Sequence, residues 1–382
     1  MKRSLFAVMA LSALGTAAPD TWATTVTLYG VVDANLEYVT NIAPGQPTVN
    51  PVTGQVSVGP GHDRVALQSG GMSASRWGLR GVEDLGGGVQ ALFVLESGFS
   101  LDDGKSMQGG RLFGRQAFVG LSGSLGALTF GRQYTPLGTA LANFSPGAYA
   151  YQYEPLDVMT GLNYRSDNTV KYAGKFGSFS GEGYWSFGNG VAGAGEVPGQ
   201  FMRDIGYGAS LVYANGSFSA TVAYDEYRPT ITPATGATGK FRKAAGAVNY
   251  AFDRATIMAG YRWGRNQFPD GTVALHDNLW WIGGIYAISP VLKLSLGYYY
   301  QDLRTMKMTP AAPTVHPANP WEVLFIADYS LSKRTDVYLT TAYAKNAGLD
   351  LHSASLGFSN VYVLGQGKTN MFGAAVGIRH KF

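Results

Sequence analysis

Arginine is the residue whose spacing first invites a chemical reading. Arg76 and Arg80 flank Gly78 in the run Ser75-Arg-Trp-Gly-Leu-Arg-Gly81. An extended backbone puts both on one face, with Trp77 and Leu79 on the other. Arg111, Phe113 and Arg115 alternate in the same way against Leu112 and Phe118, and Arg132 follows in Phe130-Gly-Arg-Gln-Tyr134. One carboxylate, Glu96, lies between the first two groups. Guanidinium forks bind and steer anions, and a neighbouring carboxylate fixes their geometry. Catalytic constellations find no anchor here. The histidines His62, His276, His316, His352 and His380 are scattered with no H-x-x-x-H pair, and cysteine is absent. No metal, cofactor or nucleophile site is therefore expected, and the chain does not read as an enzyme. A G-x-S-x-G elbow is missing, and Gly188-Asn-Gly-Val-Ala-Gly193 has no helix after it to make a phosphate cradle. His62-Asp63 and Asp102-Asp103 read as solvated loop charge.

Those arginines need elements to carry them, and composition narrows the choice. Of 382 residues, 46% are hydrophobic and 13% aromatic, but only 14% are charged, with 52 glycines and a net charge of +4. A soluble domain carries roughly 25% charged residues. Disorder is excluded, since it needs high charge and few aromatics. Lys2 and Arg3, the apolar stretch Leu5 to Ala18 and the ending Thr21-Trp22-Ala23 make residues 1–23 a signal peptide. Residues 24–382 remain as one domain. Beyond the leader no run approaches the ~18 apolar residues of a membrane helix.

The period of the remaining chain is two. Leu292, Leu294, Leu296, Tyr298 and Tyr300 oppose Lys293, Ser295, Gly297, Tyr299 and Gln301, and Val26, Leu28, Val32 and Leu36 oppose Thr27, Asp33, Asn35 and Glu37. About sixteen such segments can be counted, the second near 72–84, the fourth near 110–122 and the fifth near 126–134. Short turns such as Gly123–Leu125 and Ser332–Lys333 alternate with long loops such as Thr135–Ser166 and Asn346–Lys368. That alternation predicts an all-β, antiparallel transmembrane barrel with short periplasmic turns and long external loops. Arg76 and Arg80, opposite Trp77 and Leu79, then face the lumen, and Glu96 is placed to pair with Arg76 or Arg115. Strict alternation puts Arg132 with Leu128 and Phe130, so a kink at Gly131 is required to turn it inward.

The ordered motifs resemble the general diffusion porins of Gram-negative outer membranes, especially their beta-proteobacterial branch. They are Thr25-Val-Thr-Leu-Tyr-Gly-Val-Val-Asp33, Ser75–Gly81, Glu83-Asp-Leu-Gly-Gly-Gly88, Arg111–Leu121, Phe130–Tyr134, Asn168-Thr-Val-Lys-Tyr172 and the closing strand Gly373–Phe382. The resemblance implies a sixteen-stranded barrel, a homotrimer in outer-membrane lipid and lipopolysaccharide, and a third loop folded into the lumen. It implies that Phe382 is the signal read by barrel-assembly machinery. It also carries a basic wall cluster over to Arg76, Arg115 and Arg132. The function implied is passive passage of small hydrophilic solutes across the outer membrane, with no nucleic-acid partner; the alternative is a substrate-specific channel with saturable binding.

In one respect the chain departs from the enterobacterial pattern of an acidic third loop. Pro136–Gly147 holds no charged residue, and the loop's carboxylates are Glu154 and Asp157 near its returning end. Leu137, Leu141, Phe144, Tyr149, Tyr151 and Tyr153 fill the rest. Few negative charges then oppose the arginines, so anions are favoured. An outward apolar patch of Leu28, Val32, Leu36, Trp77, Leu79, Phe118, Phe372 and Val376 suits lipid or a partner subunit.

Overall fold

The structure, a computed structural model, describes residues 25–50, 55–191, 195–351 and 361–382. The leader 1–23, His352 and part of the Gly188–Gly193 string lie outside the described residues. The chain forms a closed antiparallel barrel. Its strands are β1 (Thr25–Ile42), β2 (His62–Ser69 and Arg76–Asp84), β3 (Gln90–Gly98), β4 (Gln116–Gly123), β5 (Gly126–Tyr134), β6 (Arg165–Phe176), β7 (Phe179–Ser186) and β8 (Gly206–Asn215). They continue as β9 (Phe218–Tyr227), β10 (Lys240–Phe252), β11 (Ala255–Gln267), β12 (Val273–Ala287), β13 (Leu292–Met306), β14 (Trp321–Ser330), β15 (Thr335–Lys345) and β16 (Asn370–Lys381). The two pieces of β2 pair with successive halves of β1 and count as one interrupted strand, which gives the expected sixteen. Closure is made by β1 against β16, from Val31↔Lys381 to Val39↔Gly373. Phe382 completes the seam by exchanging two backbone hydrogen bonds with Gly30. Its ring occupies the space a Cβ at position 30 would need, which is why glycine stands there.

Alternation sorts the two faces of the wall as the sequence predicts. Leu211, Val222, Val248, Ile257, Ile282 and Leu296 are exposed on the outside. Aromatics flank this apolar band: Tyr172, Phe179, Tyr213, Phe218, Tyr250 and Tyr286 towards the short turns, Trp280, Tyr298 and Tyr343 towards the long loops. Such girdles mark the two interfaces of an outer-membrane barrel.

The apolar core lies inside the barrel, on one side of it. The third long loop carries α1 (Pro136–Leu141) and α2 (Leu156–Thr160). Its Leu137, Leu141, Phe144, Tyr153 and Val158 pack on inward Leu279, Trp281, Tyr299, Leu324 and Ile326. Leu349 and Leu351 of the last loop join the same cluster. Polar bolts add direction. Trp281 Nε1 donates to Phe144 O (2.7 Å), Asn249 Nδ2 to Asn143 O (2.9 Å) and Gln152 Nε2 to Asn35 Oδ1 (3.2 Å). The loop therefore crosses the lumen and narrows it from one wall.

Two expectations need correction. The fourth strand begins at Gln116, so residues 110–115 lie outside the ladder and their alternation says nothing about the wall. Phe118 stands opposite Val94, in the row of Glu96, and so faces inward. The outward residues of β4 are Val119 and Leu121, both exposed.

Candidate functional site

The lumen's second wall, β1 to β6, carries charge where the first carries apolar side chains. Tyr29, Gly78 and Glu96 are directly opposite one another across β1, β2 and β3, which fixes their common inward face. Arg76 and Arg80 belong to the same face of β2. The break in β2 sets where Arg76 begins: the Asp33 carboxylate accepts from the backbone N–H of Gly71 (3.0 Å) and Ser73 (2.8 Å) and from the Tyr338 hydroxyl. The chain is thus pinned across residues 70–75 before the strand resumes.

Glu96 is the hub. Arg115 Nε donates to its Oε1 (2.7 Å), Arg76 Nε lies 3.6 Å from Oε2, and the Tyr29 hydroxyl donates to Oε2 (3.1 Å). Arg115 Nη2 reaches onward to the Tyr134 hydroxyl (2.8 Å), and so does Arg165 Nη2 (3.2 Å). Arg165 is held by two stacked rings, its Cζ 4.9 Å from the centroid of Tyr134 and 4.4 Å from that of Tyr164, and its Nη1 donates to Tyr164 Oη (2.6 Å). Cation–π contact holds a guanidinium in place without cancelling its charge. Arg80, further along β2, sits 5.5 Å from the Tyr29 ring. One carboxylate is shared among several guanidinium groups.

The register of β5 against β6 shifts between Gly131 and Gln133, with Gly131 at φ +129. A kink is present at the expected place, but it does not turn Arg132 inward: Arg132 stays opposite Ala117, in the row between the inward Gln116 and Phe118. What the kink brings to Glu96 is Tyr134 and Arg165, not Arg132. Arg132 instead donates to Gly114 O (2.7 Å) and to Asp167 Oδ1 (2.5 Å), and Arg111 binds the same Asp167 at 2.8 and 2.9 Å. Arg132 is therefore separately paired. Arg165 escaped sequence reading because it lies at the junction of a loop and a strand, where no period reports its face. The pair Tyr164-Arg165 beside Tyr134 is the signal that was available.

Of the loop carboxylates, Glu154 is turned away from this hub. Glu154 accepts from Gly147 N (2.9 Å), from the Ser145 hydroxyl and from Tyr299 Oη, against the apolar wall. Burial pushes its carboxyl above the ordinary range, against the opposing pull of those donors. Asp157, in the first turn of α2, is pushed up to about 6 by burial, opposed by the charges of Arg165 and Lys243. Leu137, Leu141, Phe144 and Tyr153 are fully buried, while Tyr151 stays exposed beside the basic wall. Among the described residues no group of three or more His, Asp or Glu could hold a metal ion.

Comparison with known proteins follows the same line. Residues 4–349 match the family described as Gram-negative porin. Over the whole of both chains, the sequence is 29% identical to an outer membrane porin protein of Bordetella pertussis and 27% identical to outer membrane porin protein 32 of Delftia acidovorans. The fold is similar to that of an anion-selective porin from Comamonas acidovorans, with a TM-score of 0.73 at 24% identity, over 94% of this chain and 100% of that one. It is also similar to OmpT of Vibrio cholerae in its trimer form, with a TM-score of 0.64 at 17% identity, over 94% and 100% of the two chains.

Proposed function

This chain belongs to the Gram-negative porin family and is a passive outer-membrane channel, and from that premise we propose that its constriction is the Glu96 hub facing the third loop. Arg76, Arg80, Arg115 and Arg165 line the ion path on one side, with Arg132 held back by Asp167. Tyr151 and the uncharged stretch 136–147 form the other side, with Glu154 turned into the apolar wall and Asp157 the loop's acidic group near Arg165. The observation that carries this reading is the imbalance around Glu96: two guanidiniums contact it, and a third, Arg165, donates its hydrogen bonds to tyrosines and lies over their rings. A pore selects by width and by the charge lining its narrowest part. Small hydrophilic solutes pass, and anions are favoured over cations. The anion selectivity of the Comamonas porin agrees with this reading.

The same reading takes residues 1–23 as the leader removed on export. It takes the working unit as a homotrimer, as in the Vibrio structure, with Leu28, Leu36, Val119, Leu121, Phe372 and Val376 at the contact. Phe382, besides closing the seam with Gly30, is the signal for barrel assembly. Single-channel recording of the purified protein tests the pore. A linear conductance with anion preference supports it, and flux that saturates at low solute concentration points to a substrate-specific channel instead.

A further inference from the structure

β2 stops at Ser69 and resumes at Arg76, and the six residues between leave the ladder. Their backbone groups still need partners, since a buried N–H or C=O left unmatched is costly. Asp33 of β1 supplies many of them. Its carboxylate is fully buried and accepts from Gly71 N and Ser73 N. Its carbonyl accepts from Gly70 N (2.8 Å) and from the Ser75 hydroxyl (3.1 Å), and its own N–H donates to Ser75 Oγ (3.1 Å). Gly70, at φ +82, makes the turn out of the strand, in a region that favours glycine. From β16, across β1, Arg379 Nη1 donates to Ser73 Oγ (3.0 Å). One residue of β1 therefore shapes most of the interruption.

Both sides of the constriction are fastened to that interruption. On the wall side, Arg76 follows Ser75 directly, and its Nη1 turns back to donate to Ala74 O (3.1 Å) while its Nε lies towards Glu96. On the loop side, Gln152 N donates to Gly71 O (2.9 Å). The ring of Tyr151 lies against Gly70, where a Cβ would come within 2.9 Å of it. A guanidinium on one side and an exposed aromatic on the other are thus referred to the same six residues, and these to one carboxylate. We infer that Asp33 is a positioning residue for the pore. By holding residues 70–75 it sets the gap between Arg76 and Tyr151, and with it both the size limit and the charge preference. Being fully buried, it does not line the ion path itself. The inference rests on the channel reading, which places that gap at the constriction. Position and charge make opposite demands on one substitution. Were Asp33 to act by its own charge, neutralising it would raise chloride preference. Acting by position, its neutralisation frees the segment that carries Arg76, and chloride preference falls.

Three readouts test this: the zero-current potential in a KCl gradient, entry of neutral oligosaccharides of rising size into proteoliposomes, and the urea midpoint of the detergent-folded barrel. The variants are Asp33→Asn, Gly70→Ala and Tyr338→Phe. Asp33→Asn keeps the shape but sets an amide NH2 against one of the two backbone donors. Gly70→Ala adds a methyl group where the Tyr151 ring lies and leaves every charge in place, so it carries the test alone if Asp33→Asn does not fold. Tyr338→Phe is the control: it removes a hydroxyl that donates to the same carboxylate but leaves both backbone bonds. Asp33→Asn is expected to lower chloride preference severalfold and to admit larger sugars. Gly70→Ala should shift the size limit with Asp33 untouched. Tyr338→Phe should lower the urea midpoint while potential and size limit stay as in the wild type. A rise in chloride preference on Asp33→Asn overturns the inference, because Asp33 would then act by its own charge. So does a Tyr338→Phe potential that moves as far as that of Asp33→Asn, since the effect would then be general loosening. An unchanged size limit in Gly70→Ala overturns the inference on the loop side. A chloride-preferring wild type with an unmoved Asp33→Asn overturns the positioning role alone, and a potassium-preferring wild type overturns the proposed constriction.

Discussion

Two arginine-bearing parts of the lumen make opposite use of the same side chain. On the apolar side, Arg262 of β11 is 1% exposed and its charge is matched by one carboxylate: Nη1 and Nη2 donate to Asp277 at 2.7 and 2.9 Å, and Nη2 also donates to Val158 O at 2.6 Å. One cation meets one carboxylate, and the pair ties the third loop to the wall. On the polar side, Arg76, Arg115 and Arg165 gather at Glu96, and tyrosine hydroxyls and rings substitute for the missing carboxylates. The first region is a bolt, and the second is a field source. A lumenal arginine is thus interpreted by what it faces, since its inward position is the same in both places.

The sharpest way to break the comparison is to remove the bolt. Arg262→Met leaves Asp277 buried beside Gln301 without its cation, and such truncation costs about 3–5 kcal/mol. The expected outcome is a clear fall in the urea midpoint of the detergent-folded barrel, with noisier single-channel current as the third loop loosens. The matching change at Arg165 should move the midpoint much less, because Arg165 makes its hydrogen bonds to tyrosines and Asp157 keeps Lys243 nearby. If both variants lost equal stability, the two regions would not differ as described.

A second change sharpens the contrast from the acidic side. Glu96→Gln keeps the shape of the hub and removes its one negative charge. Chloride preference over potassium should rise severalfold in the zero-current potential, and the shift should shrink as salt is added, because screening reaches about 8 Å at physiological strength. The smallest expected effect belongs to Asp157. Its carboxyl is pushed up to about 6 by burial, so it is charged at pH 7.5 and neutral at pH 5. Acidification therefore removes a negative charge near Arg165 and Lys243, and anion preference should grow as pH falls through 6. Asp157→Asn should flatten that profile and fix the pore at its acidic value.

Much of this was legible from alternation. Period two marks sixteen strands and the inward faces of Arg76, Arg80 and Glu96, because all three sit inside ladders where one residue fixes the next. It says nothing outside a ladder. Residues 110–115 alternate in the sequence but precede β4, so reading them as strand turned Phe118 outward when it faces in. Arg115 reaches Glu96 through the bend before Gln116. Arg165 lay beyond a register shift, and Arg132 inside it, so parity could not tell which of the two would meet the hub. Asp33 holding the break in β2 depends on backbone N–H groups of Gly71 and Ser73, which carry no side-chain signature. The inward apolar side of β12 and β14 makes sense only with the third loop against it, a contact distant in sequence.

The central claim is that unmatched arginines at the Glu96 hub set the charge preference of the pore. The most direct test is the zero-current potential across a bilayer in a KCl gradient, for the wild type and for Arg165→Ser. A unit charge ~4 Å from a passing ion contributes about 1 kcal/mol in water and about 4 at an effective dielectric of 20. The wild type should prefer chloride severalfold, and Arg165→Ser should move the potential towards cation preference with conductance kept. A wild-type pore that prefers potassium, or a variant whose potential does not move, would contradict the account.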